Sequence, residues 1–160
     1  MASGYQGPSA VLAAMAEGIG DSTFASLDWV ETAGGVLREA VKDHAEALAD
    51  LGDFTLCEVA HNPPAYLHTG ATLAWHARFS GASVDVNTGE LDSSECDFKV
   101  QGDHSVMSNL ARIQYHGKDP ALVSTAQARL YKLTRWQTDG ALPEHPALGS
   151  VLRTLHDRMA

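Results

Sequence analysis

Residues 72–101 read TLAWHARFSGASVDVNTGELDSSECDFKVQ, and three short segments inside this stretch alternate apolar and polar side chains with a period of two. Leu73, Trp75, Ala77 and Phe79 fall on one face of the first segment, and Ala74, His76 and Arg78 on the other. In the second, Val84 and Val86 oppose Asp85 and Asn87. In the third, Phe98 and Val100 oppose Asp97 and Lys99. The separators SGA and NTGELDSSE are turn chemistry, too short for crossover helices. An earlier segment of the same character, FTLCEVA at residues 54–60, brings the count to four strands with one apolar and one polar face.

Working outward, the flanks are helical. Ser26 is placed to cap a helix whose apolar residues Leu27, Val30, Ala33, Leu37, Val41, Leu48 and Leu51 recur every three or four positions. Asp28 and Glu31 suit its first turn, and Gly52 its end. A shorter helix is expected from Ser9. Beyond the strands, Asp103 opens a helix carrying Val106, Met107, Leu110 and Ile113. Asp119 and Pro120 open another, which either continues through Leu133 or breaks near Gln127 into a fifth strand, ARLYKLTRW. A last helix presents Leu148, Val151, Leu152, Leu155 and Met159 on one side. The expectation is one α+β domain over residues 1–160. Its antiparallel meander of four to five strands is covered on one face by N- and C-terminal helices.

Composition narrows the functions. The 160 residues are 44% apolar, which suffices for one core, and eleven Lys and Arg against twenty Asp and Glu give a net charge of −9. That field repels phosphate backbones, so nucleic acid is not an expected partner. No run approaches a membrane span, so stable membrane insertion is not expected either. The first basic residue is Arg38, so the early apolar run AVLAAMAEGIG lacks the charged start of a secretory signal. Cys57 and Cys96 match no zinc or redox spacing and read as free thiols inside strands. These observations together suggest a cytoplasmic setting.

The stretch LAWHARFSGASVDVNTGELDSSECDFKVQGDHSVMSNLARIQYHGKDP, residues 73–120, resembles the sterol-carrier-protein type 2 family. The likeness lies in the Trp-centred strand, the strand ending in Thr-Gly-Glu, the Asp-Phe-Lys-Val strand and a Gly-Asp-led helix that closes at Gly-Lys-Asp-Pro. The element order agrees as well. The resemblance implies a tunnel between sheet and helices for fatty acyl chains, sterols or similar molecules, and it transfers no functional residue. The chain departs from the family in ARLYKLTRWQTDG, which has no glycine-led final strand, and in Gly34 and Gly35 within the first long helix.

Candidate chemistry is sparse. His61, His68 and His76 lie seven and eight residues apart with turns between them, a spacing that presents no shared face to a metal, so neither metal nor cofactor is expected. The acidic turn ELDSSE lacks the ligand order of a calcium loop. His44, on the apolar stripe of the long helix, reads as a core or interface histidine. Glu58 shares a strand face with Phe54 and Leu56: if that face is inward, it is a carboxyl in an apolar pocket, and if not, plain surface. Three functions remain open. The first is a binding or carrier module for a hydrophobic small molecule lined by Trp75, Phe79, Val84, Val86, Phe98, Met107 and Leu110. The second is a small cofactor-free isomerase, cyclase or lyase using Glu58 with His61, His68 or Tyr66. The third is a structural homodimer formed through the long helix.

Overall fold

The computed structural model describes residues 23–67, 70–133 and 137–160; the helix expected from Ser9, His68 and residues 134–136 lie outside these. Helix α1 spans Leu27–Asp43, and the Ser26 hydroxyl accepts a hydrogen bond from the Trp29 amide at 3.4 Å. Its buried stripe includes Trp29, Val30, Ala33, Leu37, Ala40 and Val41. The helix does not run unbroken to Gly52. His44 leaves helical geometry (φ −117°, ψ 21°), a single turn α2, Ala45–Leu48, follows, and Gly52 at φ 72° turns the chain into the sheet. His44 is therefore a half-buried helix terminus.

Strands β1 (Asp53–His61), β2 (Thr72–Ser80) and β3 (Ser83–Thr88) form the antiparallel meander, in a register that places Phe54 opposite Phe79, Glu58 opposite Trp75, and Phe79 opposite Val84. Strand β4 (Phe98–Asp103) returns to the free edge of β1 and runs parallel to it, with Val100 beside Glu58. A short β5 (Gln137–Gly140) pairs antiparallel with β4, and the order is β3-β2-β1-β4-β5. The α+β class and the largely antiparallel sheet agree with the pattern in the sequence. The direction of β4 does not follow the meander, because alternation fixes which residues share a face and says nothing of which edge a strand joins. Cys96 lies just before β4 and not within it.

The return of the chain to β1 also changes the second face. Residues 89–97 lie across it, so that Leu91 packs on Cys57 and Val59, with Ala74 and Cys96 beside them. Lys99 is buried there, donating to the Leu91 carbonyl at 2.8 Å and lying 3.4 Å from Glu90. His76 is buried too, its Nδ1 2.9 Å from the Gly89 carbonyl oxygen. The face expected to be wet thus carries a second, smaller core. Cys57 and Cys96, distant in sequence, meet in it as free thiols, the Cys96 thiol donating to the Asp92 carbonyl at 3.4 Å. Burial, more than any neighbour, holds the Cys96 thiol up at about 11, so both stay protonated. The acidic turn is an ordinary cap: Asp92 and Glu95 form a reciprocal capping box around Ser93–Glu95.

On the opposite face the helices gather. Helix α3, His104–Ala111, follows β4 directly, and His104 Nε2 lies 2.9 Å from the Phe24 carbonyl oxygen. Helix α4, Pro120–Tyr131, begins where the Asp119 carboxylate accepts from the Ala121 amide at 2.9 Å. In the ambiguous 128–136 stretch the helix continues through Tyr131, and beyond residues 134–136, which lie outside the described residues, the fifth strand is described over Gln137–Gly140. Gly140 closes β5 onto β4 at φ 77°, where a Cβ would fall 1.9 Å from the Asp97 carbonyl oxygen. Helix α5, Pro146–Met159, is capped by His145, whose Nδ1 accepts from Leu148 N while Nε2 donates to Asp50 at 2.8 Å. It packs along α1, with Arg158 and Glu39 paired at 2.8 Å. No helix among the described residues is long and apolar enough to cross a membrane.

Candidate functional site, a cavity over the centre of the sheet

The helices do not cover the sheet evenly. Over β3, α1 lies close because Gly34 has no side chain: a Cβ there would stand 3.4 Å from Val86 Cβ and 3.1 Å from the Arg38 guanidinium. Phe79 and Val84 are buried in this solid half, and Val86 packs against it. Over β1 and β4 the cover is made by α3, α4, α5 and the 112–119 connection, and it leaves a cavity of about 380 Å³. That is within the range of small-molecule sites.

The cavity is mostly apolar. Leu56, Trp75, Phe98 and Val100 rise from the sheet, and Met107 and Leu110 face them from α3. Trp29 from α1 meets Trp75 edge-on at 5.3 Å between ring centroids, and Phe24 meets Trp29 at 4.9 Å, which makes one end a stiff aromatic wall. Of the residues expected to line a pocket, Trp75, Phe98, Met107 and Leu110 do so. Phe79, Val84 and Val86 do not; they pack beneath α1 instead, since they sit on the half of the sheet that Gly34 lets the helix approach.

Glu58 sits on the cavity floor. The Phe54–Leu56–Glu58 face is the inward one, and Glu58 occupies the middle of β1, flanked by strands on both sides. One carboxylate oxygen accepts from the Trp75 indole N–H at 2.9 Å. Removal from water dominates over that single bond and pushes the carboxyl up to about 7. No lysine or arginine pairs with it in the network of ion pairs among the described residues.

The other acid/base candidates are elsewhere. His61, on the opposite face at the end of β1, lies with Nε2 3.0 Å from Gln101 Oε1. Tyr66 is 68% exposed and shares a hydrogen bond with Thr23 at 3.1 Å. His68 lies outside the described residues. Among the described residues no group of three His, Cys, Asp or Glu side chains is placed to hold a metal.

The polar groups that do share the cavity with Glu58 are ones the sequence reading passed over: Tyr115, Gln127, Tyr131, Arg153 and His156. Tyr115 accepts at its hydroxyl from Gln127 Nε2 at 2.7 Å, and its ring meets His156 edge-on at 5.3 Å. Burial depresses the His156 pKa and keeps the imidazole neutral, and its Nδ1 is the one buried side-chain polar atom without a hydrogen-bond partner among the described residues. Burial, then the charge on Glu58, raises the Tyr131 phenol. A signal for His156 existed, since it stands four residues after Leu152 and so continues the apolar stripe of the last helix.

Sheet and helical cover thus enclose a mostly apolar cavity that carries a few polar groups. The fold is that of sterol carrier proteins. The chain is similar to the crystal structure of sterol carrier protein 2, with a TM-score of 0.52 and 13% identity over 84% of this chain and 98% of that one. It is equally similar to the solution structure of a conserved hypothetical protein from Thermus thermophilus for which a sterol carrier role has been suggested. There the TM-score is 0.52 and the identity 13%, over 86% of this chain and 90% of that one. No protein-family model and no curated protein matches the sequence.

Proposed function

We propose that this protein binds and carries a hydrophobic small molecule, an acyl lipid, sterol or similar compound, in the cavity over β1 and β4. The observation that carries the reading is the hollow itself: about 380 Å³ walled largely by aromatic and aliphatic side chains between the sheet and its helical cover. The sterol-carrier fold of the similar structures supports the same reading. Exposed Tyr131 and Leu142, with Arg153 beside them on α5, give the cavity a rim from which a ligand can enter. The alternative of a structural dimer through the long helix has less support, because the apolar stripe of α1 is already covered by β3 and α5. Two free, protonated thiols suit a reducing compartment, and the reading places the carrier in the cytoplasm.

Native mass spectrometry of the purified protein tests this. Intact ions should carry a co-purified lipophile that denaturation releases. If they carry none, and a panel of acyl, sterol and aromatic ligands leaves the melting temperature unchanged, the reading fails.

A further inference from the structure

A carrier of uncharged lipids needs no carboxyl on its floor. Trp75 requires a hydrogen-bond acceptor for its indole N–H, but a glutamine carbonyl would meet that need without placing an ionisable group under an apolar ligand. From the geometry we propose that the cavity is also a proton-transfer site, in which Glu58 is the general base that removes a C–H proton from an uncharged lipophilic substrate. The proposal rests on the reading of the cavity as a lipophile site and adds a reaction to it.

Three placements support it. Glu58 is held on the central strand, with one oxygen fixed by Trp75 and the carboxyl turned to the cavity, so a proton acceptor is positioned without a cation to neutralise it. The walls around it supply little competing charge. From β2, β4 and α3 the lining carries no titratable group; the 112–119 connection brings Tyr115, α4 brings Tyr131, and α5 brings Arg153 at the rim and the neutral His156. Lastly, a carboxylate stripped of water is a stronger base toward carbon than one in solution. Its pKa near 7 leaves it about half ionised at neutral pH, poised to accept and return a proton. The substrate class is an uncharged apolar molecule with a C–H bond acidified by a neighbouring carbonyl. With a carbon–carbon double bond β,γ to that carbonyl, the C–H electron pair moves into a dienolate, the proton rests on Glu58, and its return to the γ carbon while the double bond shifts into conjugation completes an isomerisation that needs no co-reactant.

5-Nitrobenzisoxazole is a suitable probe, being small, uncharged and opened by general bases alone. Glu58 takes its C3 proton, the C–H pair becomes the third bond of the nitrile, and the N–O bond breaks to leave a coloured phenolate; the proton then passes to water. Turnover should exceed that of acetate at equal concentration by at least about 10²-fold, rise with pH through about 7, and fall by about 10²-fold or more in Glu58→Gln. Circular dichroism and binding of a lipophilic dye show whether the variant keeps its fold and cavity, and the pH profile of the unmodified protein tests the base without any variant. If the probe binds, as seen by tryptophan quenching, yet reacts no faster than with acetate, the inference falls while the carrier reading stands. A rate that His156→Asn abolishes and Glu58→Gln leaves intact also overturns it. If neither the probe nor any lipophile binds, the carrier reading falls first and takes this inference with it.

Discussion

Two halves of one sheet face are built from the same kinds of residue and come to opposite ends. Over β3, a glycine in α1 brings the helix onto the strand, and Phe79, Val84 and Leu37 are sealed in. Over β1 and β4, the cover is three shorter helices joined by a connection, and the same aromatic and aliphatic side chains wall a hollow. The difference lies in the helices and not in the strands. A long helix with a small residue at its point of approach follows the sheet closely, whereas short helices set by α3's direct exit from β4 and by the α5 contact with α1 bridge over it. The only carboxyl on this face of the central strand lies on the hollow side, where its charge can matter to a bound molecule.

The contrast can be broken by mutation, and the largest effect is expected in the solid half. Phe79→Ala, at a site 1% exposed, should cost about 3–5 kcal/mol in denaturant unfolding. Met107→Ala, on a wall that is already hollow, should cost less, about 2 kcal/mol. Equal losses would mean the two halves are packed alike.

Next comes the pH dependence of stability. Glu58 has a folded pKa of about 7, raised from 4.5 by burial, so the folded state binds its proton more tightly than the unfolded state. Its favourable contribution is complete below about pH 4.5 and is lost as the pH rises through about 7, to a total of about 3 kcal/mol. Glu58→Gln should therefore gain stability relative to the unmodified protein between pH 5 and pH 8, with the difference levelling off above pH 8. His156 shifts in the opposite sense, present above its ordinary pKa and lost below it, but it is common to both proteins and cancels in the difference.

Smaller effects separate the adjacent glycines. Gly34→Leu should cost about 1–3 kcal/mol, because its side chain must displace Val86. Gly35→Ala, exposed with nothing within 4 Å, should instead stabilise the helix by up to about 1 kcal/mol. Thermal melts of the pair check both signs.

Much of this architecture could be read from alternation and caps. Leu73, Trp75 and Phe79 announced their shared face, and Ser26, Asp119 and Pro146 mark helix starts by chemistry that acts within one turn. What stayed hidden depends on neighbours far along the chain. Nothing in Phe98–Val100 says that β4 will choose the edge of β1, and from that choice follow the buried Lys99, the buried His76 and the meeting of Cys57 with Cys96. The site divides the same way. Alternation posed the question of Glu58 as a choice between two faces, and only the burial of the sheet answers it. The partners of Glu58 in the cavity, Tyr131 and His156, come from helices whose distance from the sheet no local pattern encodes.

The central claim is that a lipophile occupies the half of the core over β1 and β4 and is excluded from the half under α1. A stearic acid carrying a nitroxide on its chain, titrated into isotope-labelled protein, tests this by NMR. The Trp75 indole N–H and the Met107 methyl should broaden at stoichiometric ligand, while the methyls of Val84 and Val86 stay sharp, and ascorbate reduction of the nitroxide should restore the lost signals. Broadening of Val84 and Val86 to the same degree as Met107, or of surface residues alone, would contradict the account.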